Sequence, residues 1–181
     1  MFNTPRITKM KNQANLILKA QFLSTLSPLQ RHEFLQLCHR REYRKGEVIY
    51  YQNDPGTGMY FIESGRVELI AGDGSEEQPV LKRELQAPES FGELSIGYDF
   101  RRKSSATCLT DCILLGFYKP DFETLKKRYP EIAVKFMEAL STMAMKQLEL
   151  AIQKLEEVSG SSTAFSIQFS DSYKNEDHEV I

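Results

Sequence analysis

No stretch of this sequence approaches the roughly 18 uninterrupted apolar residues that span a bilayer. The opening Met1-Phe2-Asn3-Thr4-Pro5-Arg6 leads into no secretory hydrophobic segment, so a cytoplasmic protein without membrane contact is expected. A surplus of charge is lacking as well. Against 25 Asp and Glu stand 23 Lys and Arg, a formal net charge of −2, so the basic excess that neutralises many nucleic-acid phosphates is missing. Cysteine is scarce: Cys38, Cys108 and Cys112 show neither C-x-x-C nor a Cys/His ligand spacing, which favours buried, reduced thiols over disulfides or zinc. Histidine is equally scarce, with His32 and His39 ahead of the strand-rich region and His178 near the end. No metal triad of the kind a barrel-shaped metalloenzyme needs can be assembled from them. A P-loop, a nucleophile elbow and a His poised beside Ser or Cys are also missing, so no catalytic activity is expected.

What is present is an ordinary globular composition, 41% hydrophobic and 27% charged over 181 residues, enough for one core. Dense apolar residues without Gly or Pro suggest a helix over Asn12–Leu23. Ser27-Pro28-Leu29-Gln30 is a helix start, with Ser27 as cap, Pro28 first and Gln30 three residues past the cap. The basic pair Arg40-Arg41 suits its C-terminus, so the helix is expected to run to about His39. Beyond Lys45-Gly46 short runs rich in Val, Ile, Tyr and Leu recur between turn residues, predicting strands near Glu47–Gln52, Gly58–Ser64, Gly65–Ala71, Val80–Leu85, Ser105–Thr110 and Cys112–Tyr118. Asp54-Pro55-Gly56, Gly65 and the hairpin signal Asp73-Gly74 supply the breaks. Six or more strands without a crossover helix indicate an antiparallel sandwich or barrel.

Helical periodicity returns at Pro120 and, after Tyr129-Pro130, runs unbroken from Glu131 to Ser159. Met137, Leu140, Ala144, Leu148, Ala151, Leu155 and Val158 form one narrow seam close to a heptad. A helix of this length outreaches a small barrel, so its seam predicts a homodimer through residues 137–158. A single helix lying along its own barrel is the alternative. After Gly160, the serines and the acidic end suggest a tail over 160–181. The alternation of Phe165, Ile167 and Phe169 would also suit a strand on an exposed edge.

The chemistry concentrates in Ser90-Phe91-Gly92-Glu93-Leu94-Ser95-Ile96-Gly97-Tyr98, followed by Arg101-Arg102-Lys103-Ser104-Ser105-Ala106. This stretch resembles the phosphate-binding cassette of the cyclic-nucleotide-binding domain family: Phe-Gly-Glu-Leu with a basic residue, Arg102, nine positions after the glutamate. The resemblance extends through the Asp54-Pro55-Gly56 turn, Met59–Leu69 and the long C-terminal helix, about Leu23 to Val158.

The resemblance implies an α+β fold. An antiparallel β-roll, jelly-roll-like and of the double-stranded β-helix type, would be flanked by N-terminal helices and a long C-terminal helix. The implied division is a helical extension over 1–24, the roll over 25–129, the helix over 130–159 and the tail over 160–181. It also implies a ligand site at Phe91, Gly92, Glu93, Leu94, Arg102, Lys103, Ser104 and Ser105. The chemistry is consistent with that. A cyclic mononucleotide, cyclic AMP or cyclic GMP, needs a cation for its phosphate, which Arg102 could grip in two places. It needs an acceptor for its ribose hydroxyl, the part of Glu93, and a backbone that approaches closely, the part of Gly92.

One position departs from the family. A small residue usually follows the arginine, whereas Lys103 stands there and Ser104 comes one place late. Either Arg102 is the phosphate cation or Lys103 is. Arg101 and Lys103 together would also suit a cyclic dinucleotide. The base has several candidate caps, Phe136, Met137, Met143 or Met145, and Ser105 stands where a hydroxyl can discriminate purines. The 23 residues after Val158 show no helix-turn-helix pattern, so DNA reading is not expected. The expected role is a stand-alone sensor whose C-terminal helix shifts on ligand capture and acts on an unknown downstream protein. The alternative is a degenerate fold serving as a protein-binding adaptor.

Overall fold

The computed structural model describes residues 23–72, 75, 80–97 and 99–168. The chain divides into two compact units, Met1–Leu140 and Ser141–Ile181. The first described helix, α1 (Pro28–Gln36), starts as its sequence demands: the Ser27 amide donates to Gln30 Oε1 at 3.0 Å and the Gln30 amide donates to Ser27 Oγ at 3.3 Å. Two otherwise orphaned amides are thereby satisfied.

Among the described residues eight strands follow: β1 (His39–Tyr43), β2 (Val48–Tyr50), β3 (Gly58–Ser64), β4 (Arg66–Ala71), β5 (Leu81–Gln86), β6 (Ser90–Phe91), β7 (Ser105–Cys108) and β8 (Cys112–Tyr118). They form two four-stranded sheets, in the orders β1-β8-β3-β6 and β2-β7-β4-β5. All neighbours are antiparallel. The chain turns from one sheet into the other at Gly65, whose φ is +91° and where a Cβ would stand 2.5 Å from the Asp111 carbonyl. Only glycine fits such a corner.

The first sheet is covered on both faces, which is why β3 reads as a continuous buried run over Gly58–Ile62. On its outer face Met59, Phe61, Leu115 and Phe117 join Phe34 of α1 and Phe122, Leu125, Ile132, Ala133, Phe136 and Leu140 of the C-terminal helices. Phe34 centres this cluster, 4.6 Å from the Phe117 ring and 5.4 Å from the Phe136 ring. Inside the roll, Tyr60, Ile62, Phe91 and Leu114 meet Val67, Leu85, Ala106 and Cys108 of the second sheet.

After β8 come α3 (Lys119–Arg128) and α4 (Pro130–Ser159), the short α2 (Leu94–Gly97) having preceded β7. In the first unit α4 buries Ile132, Ala133, Phe136 and Leu140. In the second unit Leu148 is 60% and Val158 82% exposed.

Several expectations need correction. The helix after Ser27 stops at Gln36, and His39–Tyr43 is strand β1 rather than a basic helix end. Its His-Arg-Arg-Glu-Tyr has no apolar alternation because it is an edge strand, held by pairing Arg41 opposite Leu114. β6 is too short to leave a pattern. Ser161–Gln168 forms helix α5 rather than irregular tail, so the strand-like spacing of Phe165 and Ile167 does not describe their backbone. The helix over Asn12–Leu23, the Asp73-Gly74 hairpin and Phe169 lie outside the described residues, Leu23 apart.

Candidate functional site

The predicted cassette folds around one corner. β6 ends at Phe91, Gly92 takes φ +81° and α2 begins at Leu94. The 101–105 stretch that follows is stitched to the Asn53-Asp54 turn: the Arg102 amide donates to the Asp54 carbonyl at 2.9 Å and the Asn53 amide donates to the Arg102 carbonyl at 2.8 Å. One residue further, the Gln52 amide donates to Ser105 Oγ at 2.9 Å. The turn that breaks the strands therefore also sets the depth of Arg102.

Arg102 and Lys103 part company here. The Arg102 side chain runs inward and the residue is only 4% exposed. Lys103 is exposed, its ammonium 4.9 Å from the centre of the Phe100 ring. Of the two candidate cations, Arg102 is the buried one and Lys103 the exposed one.

The guanidinium is held on three sides. Nη2 donates to the Gly58 carbonyl at 2.7 Å, and Nη1 donates to Ser95 Oγ at 3.1 Å and to the Gly92 carbonyl at 3.5 Å. The Tyr50 ring covers one face, 4.1 Å from the guanidinium carbon, a cation–π contact. Nε is buried without a hydrogen-bond partner, and among the described residues no carboxylate forms an ion pair with Arg102. A buried charge with an orphaned donor and no counterion costs several kcal/mol by desolvation, of order 1–3 kcal/mol for the orphan alone. Such an arrangement suits an anion.

Glu93 is half-buried and fixed by the Ser90 hydroxyl, which donates to Oε1 at 2.7 Å. Glu93 and Arg102 do not pair with each other. Burial pushes the Tyr50 phenol above the ordinary range, the nearby Arg102 guanidinium and the Ser104 side chain pull it down, and the Glu93 charge pushes it up. Phe91 is buried against Tyr60, with ring centres 5.3 Å apart, and lies 6.0 Å from Tyr50. Leu94 is 37% exposed, and Ser104 and Ser105 are half-buried.

Phe136 is not available to cap a base, because it is fully buried in the helix-side core. Met137 packs beside that core, and Met145 is 68% exposed. A cleft of about 800 Å³ opens between Pro55–Thr57, Asp99–Arg101 and Tyr118–Pro120, and its lining includes neither Glu93 nor Arg102.

Three participants escaped sequence reasoning: Tyr50, the Gly58 carbonyl and Ser95. Tyr50 left one readable signal, an inward-facing aromatic two residues after Val48. A carbonyl leaves none. Among the described residues no group of three His, Cys, Asp or Glu could hold a metal ion, and no helix is long and apolar enough to cross a membrane.

Comparison with known proteins bears on the family and the fold. Residues 40–129 match the family model of the cyclic nucleotide-binding domain. The chain is 31% identical to the cyclic AMP receptor protein of Thermus thermophilus over 131 residues, 72% of this chain and 59% of that protein. It is 27% identical to human cGMP-dependent protein kinase 2 over 131 residues, 70% of this chain but 16% of the kinase. The chain thus spans less than two thirds of these relatives. The crystal structure of the Thermus thermophilus catabolite activator protein superposes with a TM-score of 0.63 at 26% identity, over 78% of this chain and 63% of that one. The two-sheet roll and these matches together mean that the chain belongs to the cyclic-nucleotide-binding domain family.

Proposed function

We propose that this chain is a regulatory module that captures a cyclic mononucleotide at the corner formed by Phe91–Leu94 and Arg102–Ser105. The observation that carries the reading is the buried Arg102, its Nε unpartnered and its charge unmatched by any carboxylate among the described residues. With both Nη1 protons directed to Gly92 and Ser95 and one Nη2 proton to Gly58, the Nε–H and the second Nη2 proton remain for a phosphate oxygen pair. Glu93, oriented by Ser90, accepts from the ribose hydroxyl. Gly92 leaves room for the guanidinium, since a Cβ there would lie 2.4 Å from Nη1.

Relatives named for cyclic AMP and for cyclic GMP both match this chain, and both nucleotides are candidates. Capture acts on the output through α4, because a ligand shifts an equilibrium only by contacts that differ between its states. The module works in the cytoplasm, without catalysis of its own. It pairs with a second copy through residues 137–158 and signals to a downstream protein.

A second reading has its own support. The roll interior is crowded by Tyr43, Tyr50, Tyr60, Phe91 and Tyr118, and protein acceptors already engage most of the guanidinium. That crowding favours an adaptor that keeps the fold and binds protein instead of nucleotide. Calorimetric titration with cyclic AMP, cyclic GMP and a cyclic dinucleotide, repeated on Arg102→Ala and Glu93→Ala, separates the two. Uptake lost in both variants supports the sensor, and silence of the wild type across the panel supports the adaptor.

A further inference from the structure

If Arg102 takes the phosphate, as proposed above, a neighbouring group must move first, because the residue is only 4% exposed and its Nε is enclosed. The neighbours differ in how readily they can yield. The Gly58 carbonyl belongs to β3, the inner strand between β8 and β6. Tyr60 and Phe91 are 7% and 2% exposed and stack on each other. Tyr50 is different on each count. It is half-buried and ends a strand of three residues at the edge of the second sheet, where the pairing with β7 shifts register between Val48 and Tyr50. A partly solvated ring beside a ladder irregularity gives up fewer packed contacts on rotation than a ring inside the core. Tyr50 also borders two parts of the proposed site. It covers the guanidinium face of Arg102, and its ring centre lies 6.0 Å from that of Phe91. A ligand spanning Glu93 and Arg102 has to pass the space its ring takes.

We propose that Tyr50 is the gate of this site, its ring lying over Arg102, so that nucleotide entry requires the ring to swing aside. The apparent affinity is then the intrinsic affinity reduced by the fraction of molecules with the ring displaced. Shrinking the ring to a smaller side chain opens the gate.

The test is calorimetry and stopped-flow association of the full chain with cyclic AMP and cyclic GMP. It compares the wild type, Tyr50→Leu, Tyr50→Ala and Tyr50→Ala combined with Arg102→Ala. The gate predicts tighter binding by about threefold in Tyr50→Leu and about tenfold in Tyr50→Ala, appearing mainly in the association rate. The double variant should bind far more weakly than Tyr50→Ala. Unchanged or weaker binding by a folded Tyr50→Ala overturns the gate, for the ring is then a platform or a bystander. Should Tyr50→Ala fail to fold, Tyr50→Leu decides alone, tighter uptake supporting the gate and equal or weaker uptake overturning it. If the wild type takes up nucleotide through Arg102 without any gain in the Tyr50 variants, only the gate falls. If wild type and Tyr50 variants all stay silent, the nucleotide reading falls with it.

Discussion

Arg102 holds the corner together while keeping one edge unspent, and substitutions around it should separate these two parts. Arg102→Ala is expected to weaken nucleotide binding by about 2 to 5 kcal/mol, the usual cost of removing one side of a buried charged contact, read by calorimetry. Gly92→Ala attacks the same corner from the backbone. Its φ of +81° is strained for any L side chain, and the new Cβ would stand 2.4 Å from Nη1 and 3.2 Å from the Gly58 carbonyl. A loss of about 1 to 3 kcal/mol in urea denaturation is expected. Part of that loss should vanish in the Arg102→Ala background, because two residues in contact do not act additively; a purely additive double variant would mean that the guanidinium is not what the Cβ strikes. The cassette was legible at this scale because Phe91-Gly92-Glu93-Leu94 and Arg102 are near in sequence. Tyr50 was not, since it stands 52 positions before Arg102 in neither motif and reaches the arginine only through the pairing of β2 with β7.

At the scale of elements, the cap of α1 does more than start a helix. Besides its exchange with Ser27, the Gln30 side chain donates to Glu131 at 3.0 Å and accepts from Lys135 Nζ at 3.0 Å. It thus joins the first turn of α1 to the first turns of α4. Ser27→Ala should cost about 1 kcal/mol of stability, as capping residues do, measured by thermal or urea unfolding. Gln30→Ala should cost at least as much if its bonds across to α4 count. The strands show why some elements were readable and others silent. β3 and β8 carry apolar residues for two faces at once, which no other assignment explains. β1 is polar, and nothing local distinguishes it from a frayed helix end; its register comes from β8 alone.

At the scale of the whole molecule, the second half of α4 and the thiols make separate predictions. Leu148 and Val158 are largely exposed in a single chain, and the seam they belong to is expected to be covered by a second copy. Sedimentation should therefore give twice the chain mass for the full protein and the chain mass for one ending at Thr142. Equal states of association would count against the seam.

The thiols predict a response to alkali. Burial pushes Cys108 up to about 12 and raises Cys38 above the ordinary thiol range, whereas an unfolded thiol ionises near about 8.5. The folded state keeps protons that the unfolded state releases, so the contribution is whole below about pH 8.5 and shrinks as pH rises past it. Tyr43, Tyr50 and Tyr60, also raised by burial, extend the loss beyond about pH 10. Urea midpoints between pH 7.5 and 10 should fall steadily, and a Cys38→Ser/Cys108→Ser variant should flatten that fall.

The amino-acid sequence by itself determined most of the kinds of element, β1 and α5 excepted, the break at Gly65 and the corner after Phe91. Each is written in periodicity or short-range chemistry, where a residue's neighbours in the chain are also its neighbours in space. Only the tertiary structure decided that Arg102 points inward and Lys103 outward, that Phe136 serves the helix-side core, and that a tyrosine from an edge strand lies over the arginine. Those outcomes depend on which strands pair and in what register, a property of contacts between segments dozens of residues apart.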